Sequence, residues 1–194
     1  MKATVLIPVK SLQYAKSRLA KHISANQKET LVLSMLEHVI KTVKATDKEL
    51  EIFIVSYDPK IIALANLLGI KCISKKISGL NSSLTYAAQQ VNQDIPLLTL
   101  SADLPLLKSD DVLQILSLGK NNDIILAPSK EKTGTNAILV KKPLMIPYTF
   151  GRKSLMKFTT EIEQQSLSYK TYFDETIAFD IDTPDDIEKL KKIQ

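Results

Sequence analysis

The chain has 194 residues, of which 44% are apolar, 24% charged and 6% aromatic. That composition excludes collagen-like, coiled-coil and disordered classes, and the length suits one domain, residues 1–194, with a sizeable core. Lys and Arg number 26 against 21 Asp and Glu, a net charge of +5, which suits an anionic partner without choosing between a phosphorylated metabolite, a nucleotide and a nucleic acid. One cysteine, Cys72, excludes an intramolecular disulfide framework and a multi-cysteine metal site. The longest apolar stretch, 61–70, is too short to span a bilayer. The opening apolar run closes at Pro8 and Lys10 and does not read as a signal peptide. A cytoplasmic protein with no membrane contact is expected.

Apolar runs and helical patterns alternate along the chain. Residues 3–9 (ATVLIPV) read as a strand buried on both faces. Ser24 with Gln27 forms a capping-box pattern before a helix that carries Leu31, Met35, Leu36, Val39, Ile40 and Val43 on one face. A strand over 51–56 and a helix over 60–68 follow, the helix stopping at Gly69. The next elements are a strand over 70–74 and a helix over 80–93. A buried strand over 95–101 ends in Ala102-Asp103-Leu104-Pro105. The helix over 109–118 has Ser109 as its expected cap and Asp110 and Asp111 in its first turn, where the dipole favours acids. Strands over 123–127 and 136–140, a helix over 153–164, strands over 169–173 and 177–180, and a helix over 184–192 complete the chain. Pro184 suits a first helical turn. This alternation predicts an α/β layer fold with a mainly parallel sheet. Ligands of such folds sit beyond the carboxyl ends of the strands, near the switch in strand order.

The residues just after each strand therefore carry the functional reading. Pro8-Val9-Lys10 and Ala15-Lys16-Ser17-Arg18 place three cations and a hydroxyl after the first strand, in a loop without glycine. A Walker loop and a dinucleotide fingerprint both need glycines, which disfavours a P-loop kinase and a Rossmann dehydrogenase. Side chains of Lys10, Lys16 and Arg18 can hold phosphates instead. Asp103 lies at the carboxyl end of a buried strand. Asp180 and Asp182, two residues apart in an extended segment, face the same side, with Ile181 turned to the core. Three carboxylates are hard oxygen donors that suit Mg²⁺ better than Zn²⁺. Asp182 or Thr183 is also a candidate cap for the last helix. The loop before the strand at 136 (Gly134-Thr135-Asn136) and the helix start at 150–154 (Phe150-Gly151-Arg152-Lys153-Ser154) offer groups for a carboxylate or phosphate. Asn81, at another helix start, can cap or read a base edge. His22, His38 and Cys72 suggest no triad or ligand, and Lys75 and Lys76 read as solvated.

Taken in order, these segments resemble the 2-phospho-L-lactate guanylyltransferase family over essentially the whole chain. They are Ile7-Pro8-Val9-Lys10 with Ala15-Lys16-Ser17-Arg18-Leu19, Ser101-Ala102-Asp103-Leu104-Pro105, Gly134-Thr135-Asn136, Phe150-Gly151 with Ser154, and Phe179-Asp180-Ile181-Asp182-Thr183-Pro184. The resemblance implies a three-layer nucleotidyltransferase-type fold, like that of nucleotide-diphospho-sugar transferases, and a homodimer. It also implies transfer from GTP to 2-phospho-L-lactate with release of diphosphate, in biosynthesis of the deazaflavin coenzyme F-420; phosphoenolpyruvate or another small phosphorylated acceptor is the alternative. By the same resemblance Asp103, Asp180 and Asp182 hold Mg²⁺, while Pro8, Lys10, Lys16, Ser17, Arg18, Asn81 and Asp103 serve the nucleotide. Lys10, Lys16, Arg18 and Asp103 would be the catalytic groups. Thr135 or Asn136, with Gly151 and Ser154, would hold the phosphorylated three-carbon acid. A nucleic-acid-binding module is the competing class, and the few aromatic residues do not form the stacking platforms it needs.

Overall fold

The computed structural model describes residues 2–47 and 49–193. A seven-stranded sheet runs through it. Its strands are β1 (Ala3–Pro8), β2 (Leu50–Val55), β3 (Lys71–Ile73), β4 (Leu97–Leu100), β5 (Ile124–Pro128), β6 (Thr135–Val140) and β7 (Tyr169–Thr171). The spatial order is β3-β2-β1-β4-β6-β5-β7. β1 pairs in parallel with β2 and β4, β2 with β3, and β5 with β7, while β6 runs antiparallel to β4 and β5. The sheet is therefore mixed and mainly parallel. From β1 the chain first builds outward through β2 and β3, then returns to lay β4 on the other side of β1. That reversal opens a crevice at the carboxyl ends of β1 and β4.

The helices are α1 (Ala25–Thr46), α2 (Pro59–Leu67), α3 (Leu80–Gln89), α4 (Ser109–Leu118), α5 (Ser154–Gln164), α6 (Glu175–Ala178) and α7 (Pro184–Ile193). None among the described residues is long and apolar enough to cross a membrane. Side-chain alternation along β1 divides the core. Ala3, Val5 and Ile7 pack in one cluster with α1 and α4, while Leu6 packs on the other face with Leu84 of α3 and Phe158 of α5. Three layers result. A third, smaller cluster joins Leu19, Met35, Phe179 and Ile181, all buried, to Ile187 and Leu190 of α7.

The caps explain most helix starts. Ser24 Oγ accepts from Gln27 N (3.2 Å) and Gln27 Oε1 from Ser24 N (2.9 Å), the reciprocal pair its spacing predicts. The cap of α4 differs from expectation. Lys108 occupies the cap position, its N–H donating to Asp111 Oδ2 (2.8 Å), while Ser109 Oγ donates to Thr42 O (3.2 Å). α3 ends at Gln89 rather than Gln93, because Gln93 folds back and donates to Ala88 O (2.8 Å). The strand expected over 177–180 does not form. Asp174 caps a helical turn through Thr176 N (3.0 Å), and the carbonyl of Ala178 is taken by Lys130 N (2.9 Å) and Asn136 Nδ2 (3.1 Å) instead of a ladder.

Ile181 anchors the segment that carries Asp180 and Asp182. Ile181→Ala is expected to lower the unfolding free energy by about 2–5 kcal/mol, measured by urea titration. A loss below about 1 kcal/mol, less than a buried methylene pair contributes, would mean this segment is not held by packing.

Candidate active site

The loop after β1 obtains its shape without glycine. Ser11 O accepts from Tyr14 N (2.8 Å) and Ala15 N (2.9 Å), closing a tight turn. Asp58, nearly buried, fixes that turn from outside: its Oδ2 accepts from Ser11 Oγ and Leu12 N, both at 2.9 Å. Its other oxygen caps α2 through Lys60 N (3.0 Å). Burial works to raise the Asp58 pKa, but the Leu12 and Lys60 N–H groups and the Ser11 hydroxyl outweigh it and hold the carboxyl below its ordinary range. Beyond the turn, Lys16 adopts the left-handed conformation (φ 49°), which costs a non-glycine residue about 1 kcal/mol or more. That twist starts the 3₁₀ turn Ser17–Leu19, whose Leu19 is buried, and sends the Lys16 side chain inward.

Inside, Lys16 Nζ donates to Asp103 Oδ2 and, at 3.0 Å, to Asp182 Oδ1; the lysine side chain is only 9% exposed. Arg18 Nη1 reaches Asp182 Oδ2 at 3.3 Å from an otherwise exposed position. Asp103, Asp180 and Asp182 bring one carboxylate oxygen each within 4.8 Å of one another. Burial, then repulsion from Asp103 and Asp182, pushes Asp180 up to about 6; the Asn136 amide and Lys16 act in the opposite direction. For Lys16, burial lowers the pKa, yet the attraction of Asp103 and Asp182 exceeds that and the net shift is upward. The ammonium therefore stays charged.

The predicted nucleotide residues Pro8, Lys10, Lys16, Ser17, Arg18 and Asp103 all line one cavity of about 370 Å³, together with Asp182. A second cavity of about 330 Å³ adjoins it across Pro8, Val9, Lys10, Tyr14 and Leu80. Lys75 and Lys76, expected to be plain solvated residues, line this second cavity with Tyr57, Ser78 and Gly79. Each ammonium lies over an aromatic ring, Lys75 over Tyr86 (4.4 Å to the centroid) and Lys76 over Tyr57 (5.8 Å). Asn81 stands apart from the base-reading role expected of it. Its amide is engaged on both sides by the Phe150 backbone, accepting from N (2.9 Å) and donating to O (3.1 Å).

The four residues expected to hold the acceptor are not brought together in one open site. Thr135 and Ser154 are buried and hydrogen bonded to each other at 3.1 Å. Asn136, also buried, donates to Ile177 O (3.0 Å) and Ala178 O (3.1 Å) and lies 3.4 Å from Asp180 Oδ1. Gly151 is exposed, at φ 118°. Two residues outside the expected set shape the site. Asp58 is one, marked in sequence only by its place before Pro59. Asp186 is the other: buried in the first turn of α7, it accepts from Thr183 N (2.7 Å) and Thr183 Oγ (2.8 Å). The helix cap is thus the Thr183–Asp186 pair, leaving Asp182 to the cavity. His38 is half-buried, its Nε2 3.0 Å from Leu107 O.

Solved structures share this fold. A protein described as a nucleotide-diphospho-sugar transferase from Desulfovibrio desulfuricans G20 superposes with a TM-score of 0.81 at 16% identity, covering 99% of this chain and 87% of that one. The 4-diphosphocytidyl-2C-methyl-D-erythritol synthase of Anaerococcus prevotii superposes at 0.65 with 14% identity, covering 98% and 95%. The fold class is that of the nucleotidyltransferases. Residues 3–191 match the family described as guanylyl transferase CofC like. A phosphoenolpyruvate guanylyltransferase of Chloroflexus aggregans is 32% identical over 97% of this chain and 95% of its own. A 2-phospho-L-lactate guanylyltransferase of Methanocaldococcus jannaschii is 34% identical over 98% of this chain and 83% of its own. The chain belongs to the CofC-like guanylyl transferase family.

Asp58 sets the shape of the loop after β1, so its removal tests that loop. Asp58→Asn is expected to lower the unfolding free energy at pH 7 by about 1–2 kcal/mol. A depressed carboxyl contributes stability above its unfolded pKa, near 3.9, and loses it as pH falls through the folded value. The stability gap between wild type and variant should therefore narrow below about pH 4. Urea titrations from pH 7 to 2.5 measure it, and a gap constant with pH would show that the charge of Asp58 does not hold the turn.

Proposed function

We propose that the protein joins the guanylyl group of GTP to a small phosphorylated three-carbon acid and releases diphosphate. The observation that carries this reading is the meeting of Lys10, Lys16 and Arg18 with Asp103 and Asp182 around one cavity at the switch point of the sheet, with Asp180 clustered behind those two carboxylates. We take 2-phospho-L-lactate as the acceptor, in biosynthesis of the deazaflavin coenzyme F-420. Phosphoenolpyruvate stands as the second reading because relatives of both names match this chain to similar extents.

The donor set fits a hard divalent cation. Three carboxylate oxygens converge, burial and then the repulsion of its neighbours push the Asp180 pKa up to about 6, and a positive group already sits among them. Asp103, Asp180 and Asp182 would hold Mg²⁺, which when bound supplies charge neutralisation to the nucleotide phosphates. Lys10 and Arg18, exposed at the cavity, meet the phosphates from solvent, and Ser17 adds a hydroxyl there. Lys16 supplies a permanently charged ammonium from below. The adjoining cavity, lined by Tyr57, Lys76 and Gly79, takes the nucleoside. We assign the acceptor to the side where β6 begins and α5 starts. Gly151 offers backbone there, while Thr135, Asn136 and Ser154 act through the hydrogen bonds that shape it.

The reaction forms a bond from an acceptor phosphate oxygen to the α-phosphorus and breaks the bond from that phosphorus to diphosphate. The attacking oxygen is already ionised near neutral pH, since a phosphate monoester loses its second proton near pH 6. No general base is needed, which agrees with the half-buried His38 being engaged with the Leu107 carbonyl. Catalysis then rests on alignment and on stabilising the charge of the leaving diphosphate. We propose that residues 1–194 act as one domain, in the cytoplasm and as a homodimer.

The test is diphosphate release from GTP and Mg²⁺ with either acceptor in parallel. Release with neither acceptor, from folded protein supplied with each of the four nucleotides, would overturn the reading. Asp103→Asn and Asp182→Asn are each expected to lower turnover by about 100-fold or more with little change in melting temperature. Turnover like that of the wild type would remove these carboxylates from the cation site.

A further inference from the structure

The segment between α6 and α7 bears two of the three clustered carboxylates, yet it belongs to no strand. Ile181 N donates to Asp103 O at 3.3 Å, and Asn136 holds the carbonyls at 177 and 178. What fixes the far side, at Asp182, is Asp186. Its Oδ2 accepts from Asp182 N (3.0 Å), Thr183 N (2.7 Å) and Thr183 Oγ (2.8 Å), and its Oδ1 pairs with Lys130 Nζ. An ordinary capping carboxylate in the first turn of a helix serves one N–H at the helix start. This one collects three donors from two successive residues and an ammonium besides, while only 3% exposed.

Lys130, in the β5–β6 connection, holds the same segment at three points. Its backbone N donates to Ala178 O (2.9 Å), its ammonium lies 5.1 Å from the centroid of the Phe179 ring, and the same ammonium pairs with Asp186. Residues 178–183 are thus clamped at both ends by one lysine and its carboxylate partner. The ammonium also answers a charge problem. Asp186 is a fourth carboxylate beside Asp180 and Asp182, and a buried unpaired carboxylate would repel the others and destabilise the turn.

We infer that Asp186, charge-balanced by Lys130, is a positioning residue that fixes the backbone at 182–183 and so aims Asp180 and Asp182 at a shared cation with Asp103. The inference rests on the reading of those three carboxylates as the cation site. It assigns Asp186 no contact with substrate.

The test is Mn²⁺ affinity of the ligand-free protein, with amide hydrogen exchange at residues 182 and 183 beside it. Asp186→Asn is expected to weaken Mn²⁺ about 10-fold or more, the range found when a hydrogen-bond partner behind a metal ligand is lost. Exchange at both amides should quicken. Lys130→Met, which leaves the turn's own bonds in place, should shift both in the same direction by less, and Lys130→Arg should restore most of the affinity. Ser24→Ala, a comparable cap loss on α1, should leave Mn²⁺ affinity unchanged. If exchange quickens in Asp186→Asn while Mn²⁺ affinity stays at the wild-type value, Asp186 is only a helix cap and the inference fails. If Asp182→Asn itself leaves Mn²⁺ affinity unaltered, the cation-site reading fails and the inference with it, an outcome told apart by that variant.

Discussion

Everything in this site follows from the cost of gathering three carboxylates within 4.8 Å. Two like charges 4 Å apart repel by about 4 kcal/mol at the effective dielectric of a protein surface, so the cluster persists only where a cation and a stiff frame oppose the repulsion. Lys16 provides the cation. Its backbone twist at φ 49° is the local distortion that turns an exposed loop lysine into a buried counter-ion, bonded to Asp103 and Asp182 together. Burial, and then repulsion from Asp103 and Asp182, raises the Asp180 pKa to about 6, which the Asn136 amide and Lys16 offset only in part.

The frame comes from topology. β1 and β4 are adjacent and parallel, so Lys16 and Asp103 emerge at the same end of the sheet although 87 residues separate them. β6 runs antiparallel beside β4, which brings its first residues to that end as well. Asn136 there bonds the carbonyls of 177 and 178 in place of a strand ladder. Ile181 then packs inward against Leu19 and Met35, and its two neighbours are left on the side of Asp103, with Asp182 lining the cavity. Each of these constraints comes from a different element, so the geometry of the cluster depends on the completed fold and not on any one loop.

That dependence explains what the sequence made legible. The carboxylates were readable because each signal is local: an acid after a buried run for Asp103, and an alternation of acid, Ile and acid for Asp180 and Asp182. The basic loop was readable for the same reason. Asp58 and Asp186 were not, because their partners Leu12 and Lys130 lie 46 and 56 residues away and no spacing rule joins them. The strand expected over 177–180 failed on the same ground. Its apolar alternation is real, and Ile177, Phe179 and Ile181 are buried as a strand's inward residues would be, but the hydrogen bonds that decide strand from coil come from Lys130 and Asn136. Thr135 and Ser154 read as ligand-facing because hydroxyls before a strand and at a helix start usually face solvent; here they face each other.

The absence of glycine after β1 has a mechanistic consequence. A glycine-rich loop cradles phosphate with backbone N–H groups. In this loop the N–H groups of Leu12, Tyr14 and Ala15 are already taken, by Asp58 and by Ser11 O. On the proposed reading phosphate would then be met by side-chain charge, and the three cations would divide that work by position. Lys10 and Arg18 are exposed to solvent, whereas Lys16 is committed to the carboxylates. Were Asp103, Asp180 and Asp182 to hold a divalent cation as proposed, that cation would neutralise the carboxylates and leave the Lys16 ammonium to the phosphates. On the proposed reading, the residue that opposes repulsion within the carboxylate cluster is thus also one of the three cations that would face the phosphates, and it follows directly on the turn fixed by Asp58.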